Sequence, residues 1–165
     1  LMYSVSHSEY SSHMGFKLSI MKIRSLLFIS LLTLLSQSTI AQNGDMNNLV
    51  IIGNNIGTVS LKKTTLINVL KGRLDSWNNN VTVKIVLPSQ KNESAALTAK
   101  VFYGTTVKGM QKFWLSLVFQ GRANPPIFLD TDEEIIIFVQ KNPGSIGVIH
   151  EGVDYPKSLK INIIN

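Results

Sequence analysis

The sequence predicts an α/β domain with a mixed, mostly parallel sheet flanked by helices, and three observations carry that expectation. Short apolar runs without alternation, such as Leu49-Val50-Ile51-Ile52, suit strands buried on both faces. Segments of helical spacing lie between these runs, in the order βαβαα(β)αββ, and alternating strands and helices build parallel sheets. The composition, 44% hydrophobic and 16% charged, is that of a chain able to bury one real core.

The elements follow in order. Leu49–Ile52 ends at Gly53, and Asn54-Asn55-Ile56-Gly57 reads as a loop. Ser60 is a candidate N-cap for a helix carrying Leu61, Leu66, Val69 and Leu70, with Gly72 as its C′ glycine. Asn78-Asn79-Asn80 marks a turn. Val81–Leu87 alternates β-branched residues and reads as the second strand, ended by Pro88. Ser89 or Asn92 can cap the next helix, whose stripe is Ala95, Ala96, Ala99 and Phe102, broken at Gly104. Val107–Phe119 places Met110, Phe113, Trp114, Leu117 and Val118 on one face and stops at Gly121. Pro125-Pro126 imposes an extended segment, an edge strand through Leu129. Asp130 or Thr131 caps a further helix, and Thr131-x-x-Glu134 has the capping-box spacing. Asn142-Pro143-Gly144 is a turn, Ile146–Ile149 a strand, and Leu159–Ile164 the last strand.

The first 41 residues differ from the rest. Residues 1–20 are polar, Ser-rich and aperiodic, an expected upstream extension without order. From Met21 the pattern is that of a secretory signal: Lys22 and Arg24, a ten-residue apolar run Leu26–Leu35, then a small-x-small site ending at Ala41. The run falls short of the ~20 apolar residues a membrane-spanning helix needs. Cleavage near Ala41 would leave residues 42–165 as one α/β domain, periplasmic or secreted. That portion holds 13 basic and nine acidic residues, a mild positive balance scattered along the chain. Scattered bases in an exported protein do not point to nucleic acid. The sequence has no cysteine, which excludes disulfides, thiolate catalysis and cysteine-bound zinc.

Five pieces, in order, resemble the phosphate-type substrate-binding proteins of ABC transporters, within the type 2 periplasmic-binding-protein fold. They are Leu49-Val50-Ile51-Ile52-Gly53-Asn54, then Leu61 through Lys71-Gly72-Arg73 to Trp77, then Lys84-Ile85-Val86-Leu87-Pro88 with Ser94 and Phe102. Phe113-Trp114 with Phe119-Gln120-Gly121 follows, and Asn142-Pro143-Gly144-Ser145-Ile146-Gly147-Val148 closes the set. The resemblance implies a single lobe of a fold whose members close two lobes over a ligand. It also implies a non-enzymatic binding role, with no cofactor.

In that family a loop reading R-x-D-G-S-G-T opens a helix and binds phosphate through its serine, threonine, backbone N–H groups and arginine. Helix starts offer unpaired N–H groups, and arginine adds a charge-assisted fork. The corresponding stretch here is Ser89-Gln90-Lys91-Asn92-Glu93-Ser94-Ala95-Ala96. Ser94 takes the place of the family serine, Ala95 and Ala96 replace its Gly and Thr, Gln90 replaces the arginine, and Glu93 adds a negative charge. Only Lys91 compensates. The expected ligand contacts are therefore Ser89, Gln90, Lys91, Asn92, Ser94 and Ala95, with Asn54. The same stretch also reads as an ordinary capped helix start.

Other groups carry less. His150, Glu151 and Asp154 have no recognised metal spacing. Phe113-Trp114 sits at core spacing, Trp77 has a structural counterpart in the family, and neither a nucleophile elbow nor a phosphate loop occurs. The functional expectation is an exported binding module for a small oxyanion such as phosphate or for a protein. Its partner would be a second copy or a membrane-bound transporter or sensor, because a lone lobe bares the face its companion would cover. The alternatives are an exported structural or regulatory domain without small ligand, and an α/β hydrolytic enzyme.

Overall fold

In a computed structural model the described residues are Met46–Asn165, all within one unit of the chain. The expected extension and signal peptide lie outside them. Four strands form the main sheet: β1 (Leu49–Gly53), β3 (Lys84–Pro88), β4 (Ile127–Leu129) and β5 (Ser145–His150), in the order β1-β5-β3-β4. β5, β3 and β4 run parallel, and β1 is antiparallel to β5, with Leu49 opposite His150 and Gly53 opposite Ile146. The sheet is thus mixed and mostly parallel, as the apolar runs predict.

Alternation along each strand sorts the two faces. Leu49, Ile51, Ile85, Leu87, Ile146 and Val148 join a core with Leu66, Val69, Leu70, Ala99, Phe102, Met110 and Trp114. These come from α1 (Lys63–Leu70), α2 (Ala95–Thr98), a π turn over Ala99–Tyr103, and α3 (Val107–Phe119). Val50, Ile52, Val86 and Ile149 face the other way and pack on Ile135, Ile136 and Val139 of α4 (Asp132–Lys141). Each fully buried Leu or Ile contributes roughly 2 kcal/mol, so both faces matter. Gly147 lets α4 approach the sheet: a Cβ there would lie 2.7 Å from Ile135 Cγ2. Among the described residues no helix is long and apolar enough to cross a membrane.

Local signals hold where nothing distant competes. The capping box forms, with Glu134 N–H donating to Thr131 Oγ1 at 3.1 Å and Thr131 N–H to Glu134 Oε2 at 3.3 Å. Gly72 has φ +67° as the C′ glycine of α1, with its N–H on Val69 O and that of Arg73 on Asn68 O. Trp77 is buried and donates from Nε1 to Gly144 O at 2.8 Å, pinning the Asn142-Pro143-Gly144 turn. Phe113 and Trp114 stack edge-to-face in the helical layer.

Four expectations are corrected. Ser60 does not cap a helix; it opens β2 (Ser60–Lys62), which pairs in parallel with β6 (Asn162–Ile164) in a separate two-stranded sheet. A ladder to the chain's far end there outweighs local capping chemistry. The strand expected from Val81 starts at Lys84, because Val81 and Val83 are tied back to Trp77 and Asp75. It also runs through Pro88, which sits opposite Leu129. The last expected strand is a short 3₁₀ turn, Lys157–Leu159, followed by β6.

Candidate functional site

Parallel α/β sheets present their ligand crevices beyond the carboxyl ends of the strands. Here Pro88, Leu129 and His150 end three parallel strands on one edge of the sheet. The loop after β3 (residues 89–94) meets the start of α4 there. A crevice of about 350 Å³ lies between them, lined by Lys91, Asn92, Glu93, Asp130, Asp132 and His150 among others.

One wall of it is Asp132, the first residue of α4, only 8% exposed. Asn92 Nδ2 donates to Asp132 Oδ1 at 2.9 Å, and His150 N–H donates to Oδ2 at 2.7 Å. Ser94 is fully buried, and its hydroxyl has two acceptors within reach, Asn92 Oδ1 at 2.7 Å and Asp132 Oδ1 at 3.2 Å. Asn92 Oδ1 also accepts from Ser94 N–H at 2.8 Å, closing the loop on itself. An amide, a backbone N–H and a hydroxyl therefore gather around one internal carboxylate. A carboxylate in a helix's first turn is further favoured by the helix dipole.

The outer part of the loop is also paired. Lys91 Nζ lies 2.8 Å from Asp130 Oδ2, and Ser89 Oγ donates to Asp130 Oδ1 at 2.5 Å. The hydrogen bonds from Lys91 and Ser89 hold the Asp130 carboxyl below its ordinary value, and Asp130 raises Lys91 in turn. Both side chains are substantially exposed, so the pair is screened and worth little. Glu93, Asp130, Asp132 and Glu133 surround the crevice against Lys91, which is already engaged. A free dianion entering there would meet carboxylates first.

The residues named from sequence thus divide. Ser89, Lys91, Asn92 and Ser94 come together, but their polar groups face Asp130, Asp132 and one another. Ala95 is buried in the start of α2, a helix of four residues. Gln90 lines a different hollow, against α3. Asn54 is elsewhere: β1 is antiparallel, so its end lies at the amino ends of β3 and β5. There its Nδ2 donates to Val139 O and Gln140 O, each at 2.9 Å, satisfying the last turn of α4. That is a structural role, away from the crevice.

Asp132 and the His150 N–H are the groups that sequence reading missed. Asp132 lies in the acidic first turn of α4, where the helix dipole favours it, but no sequence spacing places it beside residue 92. Among the described residues no group of three or more His, Asp or Glu could hold a metal. His150 Nδ1 instead lies 2.5 Å from Glu151 O.

No protein-family model matches the chain, and no curated protein matches it. Several solved structures are similar to part of the chain. The ABC-type phosphate transport receptor from Vibrio cholerae is 16% identical with a TM-score of 0.45, over 70% of this chain and 46% of that one. A phosphate ABC-transporter substrate-binding protein with bound phosphate from Clostridium perfringens is 16% identical with a TM-score of 0.47, over 65% and 41%. PstS from Borrelia burgdorferi is 17% identical with a TM-score of 0.49, over 70% and 47%. The chain spans less than half the length of each.

Proposed function

We propose that this chain is an exported, non-enzymatic binding module, a single lobe of the phosphate-type architecture, that works by docking protein and not by holding a free small anion. The five ordered sequence pieces support the architecture, and the charged, apolar, small-residue sequence of residues 21–41 supports export to the periplasm or beyond. The observation that carries the reading is the pairing of Asn92, Ser94 and the His150 N–H with Asp132. The donors that would wrap an oxyanion, Ser94 and its loop, are gathered around the chain's own Asp132. A second anion would have to displace a covalently tethered carboxylate and approach past Glu93 and Glu133.

Isothermal titration with phosphate, sulfate and other oxyanions tests this. The wild-type protein is expected to give no saturable heat. Saturable phosphate binding that Ser94→Ala abolishes would contradict the reading and restore a small-anion function. The export arm is checked by the mass and N-terminal sequence of the protein recovered from outside the cytoplasm.

A further inference from the structure

The unsatisfied surface lies on the other side of the β3–α2 loop, along α3. There the helix and the segment before β4 enclose two adjoining hollows of about 650 and 620 Å³ that share Val118 and Pro125. The first has an apolar lining of Trp114, Leu115, Val118, Pro125, Pro126 and Phe128. Leu115 and, one turn on, Phe119 stand exposed at 57% and 82%. β4 beside them is an edge strand, paired only with β3.

The charge around this furrow is mostly basic. Lys108 and Lys112 stand on the first hollow, Lys84 and Arg122 on the second, and Asp75 is the single acid in either lining. Among the described residues none of these four bases forms an ion pair with a carboxylate. Apolar surface of this kind marks an interaction site, and uncompensated charge at its rim selects the partner's sign.

We infer that the α3–β4 furrow docks an extended segment of a partner protein whose acidic residues alternate with large apolar ones. The apolar side chains enter over Leu115, Val118 and Phe128. The acids meet Lys108 and Lys112 along the first hollow and Lys84 and Arg122 along the second. An extended segment suits the place, because alternate side chains of a strand point to opposite faces and a sheet edge lies alongside. The inference rests on the reading of the chain as a protein-docking module and names the surface and the partner's chemistry.

The test is fluorescence anisotropy of the full chain with a labelled peptide of alternating Glu and Leu, against its Lys–Leu counterpart. The Glu–Leu peptide is expected to bind saturably and the Lys–Leu peptide not to bind. The doubly substituted Lys108→Glu, Lys112→Glu protein is expected to weaken binding about tenfold or more, with further loss at high salt. Leu115→Glu, at an exposed position that leaves the fold intact, is expected to do the same. Equal binding of both peptides, or indifference to these substitutions, overturns the inference. So does a stable dimer that Leu115→Glu dissociates, which would assign the furrow to a second copy. Sedimentation with phosphatidylglycerol vesicles without peptide binding would assign it to a membrane and likewise overturn it. If the peptide fails while the oxyanion titrations stay silent, the furrow is wrong and the docking role stands; if phosphate binds, the role itself falls.

Discussion

Two surfaces of the domain use polar groups in opposite ways. In the carboxyl-end crevice nearly every donor has an internal acceptor: Asn92, Ser94 and the His150 N–H turn to Asp132, and Ser89 and Lys91 turn to Asp130. Along α3 the bases Lys108 and Lys112 have no acidic partner among the described residues, and Leu115 and Phe119 are exposed. Polar groups already satisfied internally gain little from a ligand, because binding only exchanges one set of hydrogen bonds for another. Charged groups that face water exchange it for a partner's carboxylates, a net gain of ~1 kcal/mol or less for each pair, and several pairs add up. Position in the fold alone favours the crevice as the recognition site, but its polar groups are already paired, whereas the bases of the furrow face solvent.

The largest expected effect comes from removing the internal carboxylate. Asp132→Ala strips acceptors from the Asn92 amide and the His150 N–H in a buried setting, an expected loss of about 3 kcal/mol in chemical denaturation. If the crevice is an anion cradle with its anion built in, Asp132→Gly should recover part of its lost melting temperature in formate or acetate. Equal response of wild type and variant to those salts would show that the crevice has no such cradle. Gly72→Ala is the next largest. Its φ of +67° disfavours a side chain, and the new Cβ would sit 2.8 Å from Trp114 Cη2 beneath the furrow. The expected cost is about 2 kcal/mol, measured the same way, with Glu–Leu peptide binding weakened because Trp114 is displaced.

How far the sequence reaches is visible in these same residues. Gly72, the Thr131–Glu134 box and the span Val107–Phe119 were legible because their chemistry is closed within a few positions. The burial of β1 on both faces was legible because a continuous apolar run admits few other placements. Ser60 misled because its ladder partner Asn162 lies at the far end of the chain. The crevice was half legible. The loop 89–94 could be named from its resemblance, but what its side chains face was not. That depends on β4 lying beside β3, which brings Asp132 to Asn92 across forty positions. Asn54 was misplaced for a related reason: only the antiparallel direction of β1 puts it at the opposite end of the sheet.

Smaller effects sharpen the contrast. Ser94→Ala should cost about 1 kcal/mol in denaturant, since Asn92 Oδ1 keeps the Ser94 backbone N–H. Thr98 Oγ1 is buried without a hydrogen-bond partner, so Thr98→Val should be neutral or stabilising by up to about 1 kcal/mol. A clear loss there would mean the hydroxyl is used. The smallest effect is at the exposed pair. Asp130 is held below the usual carboxylate range chiefly by its hydrogen bond to Lys91. Its small contribution is therefore present above the ordinary Asp value and fades as pH falls through the lowered one. Lys91→Met should move the Asp130 titration, followed by NMR, back upward with little change in stability.

The most direct test of the central claim is titration of the wild-type protein with phosphate, with Ser94→Ala beside it. The account predicts no saturable heat from either, because Asp132 already occupies the place among the Asn92, Ser94 and His150 donors. Saturable phosphate binding by the wild type, lost in Ser94→Ala, would contradict it.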